Sequence, residues 1–173
     1  MTLTSITDSI KEMHKTQVSG SYLVLLRLSL GLAFLTTMLS NFLKGVFTNS
    51  SEYISTLNSF LDKNLQTSFN EFVKSILIPN AQIFAPFQFI LELTISLSLI
   101  LGLFTRFGSI IGFIVSINLF FLTLGVDTEW PWTYILMIIG FLILAIYSAG
   151  RWYGLDYWIE KRISNKYLKF VLF

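Results

Sequence analysis

The stretch FQFILELTISLSLILGLFTRFGSIIGFIVSINLF, residues 87–120, carries only two charges, Glu92 and Arg106. Two apolar runs meet there at a short break around Thr105-Arg106. Each run has roughly the ~20 residues that a helix needs to cross ~30 Å of hydrocarbon, so the pair predicts a transmembrane helical hairpin. Extending the same reading along the chain gives four spans, at about residues 22–47, 83–104, 107–126 and 132–149. The expected fold is all-α: an integral membrane, antiparallel four-helix bundle, with residues 1–173 forming one membrane domain.

Composition agrees. Hydrophobic residues make up 54% of the 173, too many for an ordinary soluble domain when they come in blocks of spanning length. The charges sit in the connections. Lys11 and Lys15 precede the first span, Arg106 lies between the second and third, and Arg151, Lys161, Arg162, Lys166 and Lys169 follow the fourth. The other side mixes Lys44, Lys63 and Lys74 with Glu52, Asp62, Glu71, Asp127 and Glu129. The positive-inside rule then puts both termini in the cytoplasm of a multi-pass protein of the cell membrane. A basic tail beside a bilayer points to anionic membrane lipids rather than nucleic acid.

The segment between the first two spans predicts an amphipathic helix over about 50–77, lying on the outer surface. Asn49 is placed to cap it, with Glu52 three residues on. Ile54, Leu57, Leu61, Leu65, Phe69, Phe72 and Ile76 form its apolar stripe. Pro79 stops it and Pro86 opens the second span near its first turn. A short amphipathic N-terminal helix is expected from Leu3, Ile6, Ile10 and Met13, and an interfacial segment over 151–173. Trp130 and Trp132 form one interfacial belt; Tyr147, Trp152, Tyr153, Tyr157 and Trp158 form the other.

Several chemistries are excluded by residue counts. There is no Cys and a single His, His14, so thiol exchange, iron–sulfur ligation, bis-histidine haem and multi-histidine copper cannot be built from this chain. No metal or haem is expected to be ligated by it. No phosphate loop or nucleophile–base motif is present.

The residue that asks for an explanation is Glu92. A carboxylate near mid-membrane is costly and must face protein, water or an opposite charge. Arg27, about two turns into the first span, is its candidate partner, at an axial offset of ~10 Å by helix rise. The two form either a structural ion pair or a protonatable, hydrogen-bonding site beside a ligand, or else desolvation holds Glu92 neutral with no role. Arg27 is also within snorkelling reach of the interface. Arg106 and Arg151 stand at helix ends, where they stabilise termini or hold lipid phosphates. Asp156 is placed to pair with Arg151 or Arg106 and fix the fold-back after the fourth span. Lys44, Lys63, Lys74, Trp130 and Trp132 face outside, as solvated charges and interface anchors or as an entry site for a small anion. The 17 Phe could line a flat slot for a quinone ring, although Phe is ordinary lipid-facing material too.

Three segments taken together resemble the DoxX-type membrane family: LLRLSLGLAFL with Lys44 beyond it, ILELTISLSLILGLFTRFGSIIG, and AGRWYGLDYW. Arg27, Lys44, Glu92, Arg106, Arg151, Gly154 and Asp156 match its pattern as positions. The long segment after the first span resembles the DoxD type, taken here as the larger subunit of an archaeal thiosulfate:quinone oxidoreductase. The resemblance implies oxidation of thiosulfate to tetrathionate outside, with electrons passed to a membrane quinone. It also implies a small DoxA-like partner and a link to terminal quinol oxidase subunits. Two other classes stay open: a non-catalytic accessory subunit of a quinol oxidase complex, and a small proton-coupled transporter. The transporter class lacks the support of inverted repeats or broken helices.

Overall fold

A computed structural model describes residues 20–163 and 172. The expected N-terminal helix and the segment beyond 163 lie outside these residues. Helix α1 runs Gly20–Leu43, α2 Ser50–Leu61, α3 Thr67–Phe72, α4 Ala81–Leu101, α5 Thr105–Thr123, α6 Pro131–Tyr147 and α7 Asp156–Ile159. A π-helical turn, Val73–Leu77, extends α3, and 3-10 turns follow α6 and α7. No strand occurs among the described residues.

Helices α1, α4, α5 and α6 close a ring, and glycines fix its register. Gly31 of α1 packs on Leu99 and Ile100 of α4, and Gly108 of α5 on Ser98 of α4. Gly112 of α5 packs on Phe141 of α6, and Gly140 of α6 on Leu30 and Leu26 of α1. Small residues of this kind let helix backbones approach closely. A Cβ at Gly112 would overlap the Phe141 ring. That ring is fully buried and packs edge-on to Phe34, at 5.4 Å between centroids. Gly112→Ala is therefore expected to lower stability by about 1–3 kcal/mol through overpacking, read by thermal unfolding in detergent. An unchanged midpoint would mean that this contact relaxes freely.

The bundle buries several polar and charged side chains within its apolar core, and its exterior is apolar. Arg27, Glu92, Ser96, Ser109, Ser116 and Thr123 are buried. Leu25, Leu32, Ile83, Ile90, Ile114, Leu136 and Ile146 are exposed. An apolar surface of this extent around buried charge suits hydrocarbon, not water. Among the described residues three helices, α1, α4 and α5, are long and apolar enough to cross a bilayer. Helix α6 is a shorter apolar helix of 17 residues, about 25 Å by helix rise. The chain is a multi-pass membrane protein, and its outer face meets lipid.

The α4–α5 connection is the tight hairpin that the sequence predicts. Gly102 takes φ +64°, a left-handed C-cap whose N–H donates to the Ser98 carbonyl, and Phe104 follows at φ +50°. The expected 50–77 helix is a correction. It is broken between Leu61 and Thr67, because Asn64 is engaged elsewhere. Its Nδ2 donates to the Phe121 and Leu122 carbonyls at 2.7 and 2.6 Å, and its Oδ1 accepts from Gln66 N–H. Leu65 N–H donates to the Leu124 carbonyl. Asn competes with helix through such bonds, and here it pins the turn to the end of α5.

The break also shifts the apolar stripe. Tyr53, Leu57, Leu61 and Val73 are buried, whereas Leu65, Phe72 and Ile76 are exposed. Asn49 caps α2 as expected, its side chain accepting from Ser51 N–H at 3.0 Å. Pro86 does not open α4. The helix starts at Ala81, and the proline lies inside it.

Two apolar clusters fill the interior. One joins Met38, Phe47, Tyr53, Leu57, Val73 and Ala85; the other joins Leu30, Phe34, Ile95, Leu99, Phe141 and Leu144. On α4, Glu92 lies between Ala85 of the first and Ile95 of the second.

Candidate functional site

Glu92 is 3% exposed. Its position on α4 aims it inward, four residues after Gln88, and Gln88 Nε2 donates to Glu92 Oε1 at 2.8 Å. The Gln88 Oε1 in turn accepts from the Tyr53 hydroxyl at 3.1 Å. Tyr53 reaches in from α2 and is itself buried. Burial, and then the nearby Glu92 charge, push the Tyr53 hydroxyl up to about 12. It therefore stays a neutral donor at ordinary pH. The other carboxyl oxygen, Glu92 Oε2, is buried without a hydrogen-bond partner, and so is Ser116 Oγ on α5. An orphaned carboxyl oxygen inside a bundle is costly, and it asks for a ligand, a water or a role.

Arg27 is not at this site. It packs against Gly102, ten residues along α4 from Glu92, hence about 15 Å away along the helix axis. The offset is larger than the sequence estimate, and the pairing of the two side chains is not made. Nor does Arg27 snorkel outward. It is 2% exposed, and its Nη1 donates to the Ala149 and Trp152 carbonyls at 3.2 Å each. Gly102 and Gly154 leave room for it, since a Cβ at either would overlap or crowd Nη1.

Asp156 completes that end of the bundle. Its carboxylate accepts the Phe104 N–H at 2.6 Å and the Thr105 N–H at 3.0 Å, capping α5 from a distant part of the chain. Its own N–H donates to the Gly102 carbonyl at 2.8 Å. Burial pushes the Asp156 carboxyl above its ordinary range; the Thr105 and Phe104 groups and the Arg27 charge pull it back. The expected pairing with Arg151 is replaced, because Arg151 forms an exposed ion pair with Glu160 at 2.8 Å. Asp156 does fix the fold-back, but through backbone N–H groups. Arg106 is half-buried in the first turn of α5.

Lys44 is exposed just after α1. Trp130 and Trp132 are exposed at the start of α6, with their rings 6.2 Å apart edge to face. These residues share the end of the bundle that carries α2, and the structure gathers no buried site from them. The outward face of α2 has a shallow, open groove lined by Ser51, Ile54, Ser55, Asn58, Ser59 and Asp62.

The sequence reading missed Gln88 and Tyr53. Gln88 was detectable as the i−4 neighbour of Glu92 on one helix face. Tyr53 was not, because it lies beside the apolar stripe read from the sequence and its partner stands on a distant helix.

The packed helices and their apolar exterior define a multi-pass membrane bundle, and among the described residues Glu92 is the carboxyl with a buried oxygen left without a partner. The family model described as TQO small subunit DoxD matches residues 22–173, and the chain belongs to this DoxX-type family. That description makes DoxD the small subunit, which corrects the expectation of a larger one. The match makes the chain a membrane subunit related to thiosulfate:quinone oxidoreductase. No curated protein and no solved structure matches it.

Proposed function

We propose that the chain is the four-span membrane subunit of a thiosulfate:quinone oxidoreductase in the cell membrane, with both termini cytoplasmic. Helix α6 serves as the fourth span, and α2 and α3 cap the outer end. The lysine and arginine distribution supports this orientation. The exposed Trp130 and Trp132 at one end and Trp152, Tyr153 and Trp158 at the other support the crossing itself, as two interfacial belts. The family and the buried, half-satisfied Glu92 support the reaction.

Two thiosulfates join through a new S–S bond to give tetrathionate and two electrons. The quinone takes those electrons with two protons and becomes quinol. The quinone supplies the redox chemistry when bound. Glu92 Oε2 is the group able to give or take a proton at a quinone oxygen within the hydrocarbon layer. Apolar side chains around it exclude water. Lys44, Trp130 and Trp132 stand at the outer surface, where an anion arrives, and a DoxA-like partner supplies further thiosulfate contacts. Arg27 and Asp156 hold the opposite end in shape, while Arg106 and Arg151 meet lipid headgroups there.

The observation that carries this reading is Glu92 Oε2, buried without a partner in a chain of this family. The purified chain with its partner is expected to reduce decylubiquinone only when thiosulfate is added, and to form tetrathionate in equal molar amount. No reduction, with co-purification of haem-containing subunits, would support the accessory role in a quinol oxidase complex instead. Substrate flux into proteoliposomes without quinone would support a transporter.

A further inference from the structure

The Glu92 carboxyl is gripped on one side only. Gln88 Nε2 donates to Oε1 at 2.8 Å, and the Tyr53 hydroxyl donates to Gln88 Oε1 at 3.1 Å. The direction of this chain matters. A Tyr hydroxyl that donates to the amide oxygen leaves the amide N–H groups to face the carboxyl. An oxygen that accepts an N–H is a poor seat for a proton, so a proton on this carboxyl resides on Oε2. Oε2 is also the atom with no partner. Tyr53 belongs to α2, outside the spans, and is held by Leu57, Met38 and Ala85 in one buried cluster.

We infer that Tyr53 and Gln88 are positioning residues for Glu92, fixing its carboxyl through Oε1 and directing the exchangeable proton to Oε2. Helix α2 is then part of the site and not only a cover over it. The proposal deepens the function proposed above, and it rests on that reading where it takes Oε2 as the atom that meets quinone. A movement of α2, for instance when a partner docks outside, would change the Glu92 carboxyl through two hydrogen bonds.

The test uses the intact purified protein in detergent. Infrared difference spectra first assign the Glu92 carboxyl bands by their loss in Glu92→Gln. Tyr53→Phe and Gln88→Met, which keep shape while removing the hydrogen bonds, are expected to shift those bands, with the larger shift in Gln88→Met. In the assay with thiosulfate, Tyr53→Phe is expected to lower kcat about 2- to 10-fold, the usual weight of one hydrogen bond, with little change in KM. Retained helicity by circular dichroism separates these effects from misfolding.

Bands unmoved in both variants overturn the proposal, whatever the activity. Shifted bands in a protein whose wild type shows no thiosulfate-dependent quinone reduction would keep the positioning role and remove the quinone function. Tyr53→Phe preserves the ring that packs in the cluster, so the comparison survives even where Gln88→Met fails to fold.

Discussion

Asp156→Ala is expected to cost about 3–5 kcal/mol and to release the segment after α6 from the bundle. The carboxylate is 1% exposed and is the acceptor for the Phe104 and Thr105 N–H groups. Alanine would leave two donors at the start of α5 without partners in a dry site. It would also remove the negative charge that faces Arg27, whose guanidinium is equally buried. A buried cation without its counter-charge is the expensive outcome, more so than the lost bonds. Asp156→Asn is expected to cost less, because one acceptor oxygen remains, although its NH₂ then confronts an N–H donor. Gly150 adjoins this carboxylate so closely that a Cβ there would overlap both Asp156 and Thr105, so Gly150→Ala should resemble Asp156→Ala. Thermal unfolding in detergent, with yield of folded protein, measures the difference. A loss below about 1 kcal/mol for Asp156→Ala would mean that water or lipid headgroups replace the carboxylate.

The bundle was legible because hydrocarbon allows few solutions. Long uncharged runs and a short break at Thr105-Arg106 are local signals. The helix limits expected from them lie within a few residues of those observed. The break at Asn64 was not legible. Nothing in the local sequence says that this side chain will bond the carbonyls of residues 121 and 122. The same holds for the charges. Glu92 announced itself by depth alone. Its distance from Arg27 depends on the register of α1 against α4, which close contacts at Gly31 and Gly102 set and which apolar periodicity leaves open. Asp156 was legible as a residue that fixes the fold-back, and its true partners were not, because they are backbone N–H groups and carry no sequence signature.

Glu92→Gln is the second large effect, and it bears on the whole account. The substitution keeps size and an acceptor oxygen for Gln88 Nε2, yet removes the only carboxyl among the buried groups of α4. If Oε2 gives or takes the proton at quinone, kcat should fall about 10²- to 10⁴-fold, the range for losing a positioned acid–base group, with thiosulfate KM nearly unchanged. Stability should hold or rise slightly, since a neutral amide costs less to bury than a carboxylate. Steady-state thiosulfate-dependent quinone reduction by the complex reconstituted with its partner, wild type against Glu92→Gln, is the direct measurement. A folded variant with a collapsed kcat is the outcome this account expects; a folded variant turning over at the wild-type rate would contradict it.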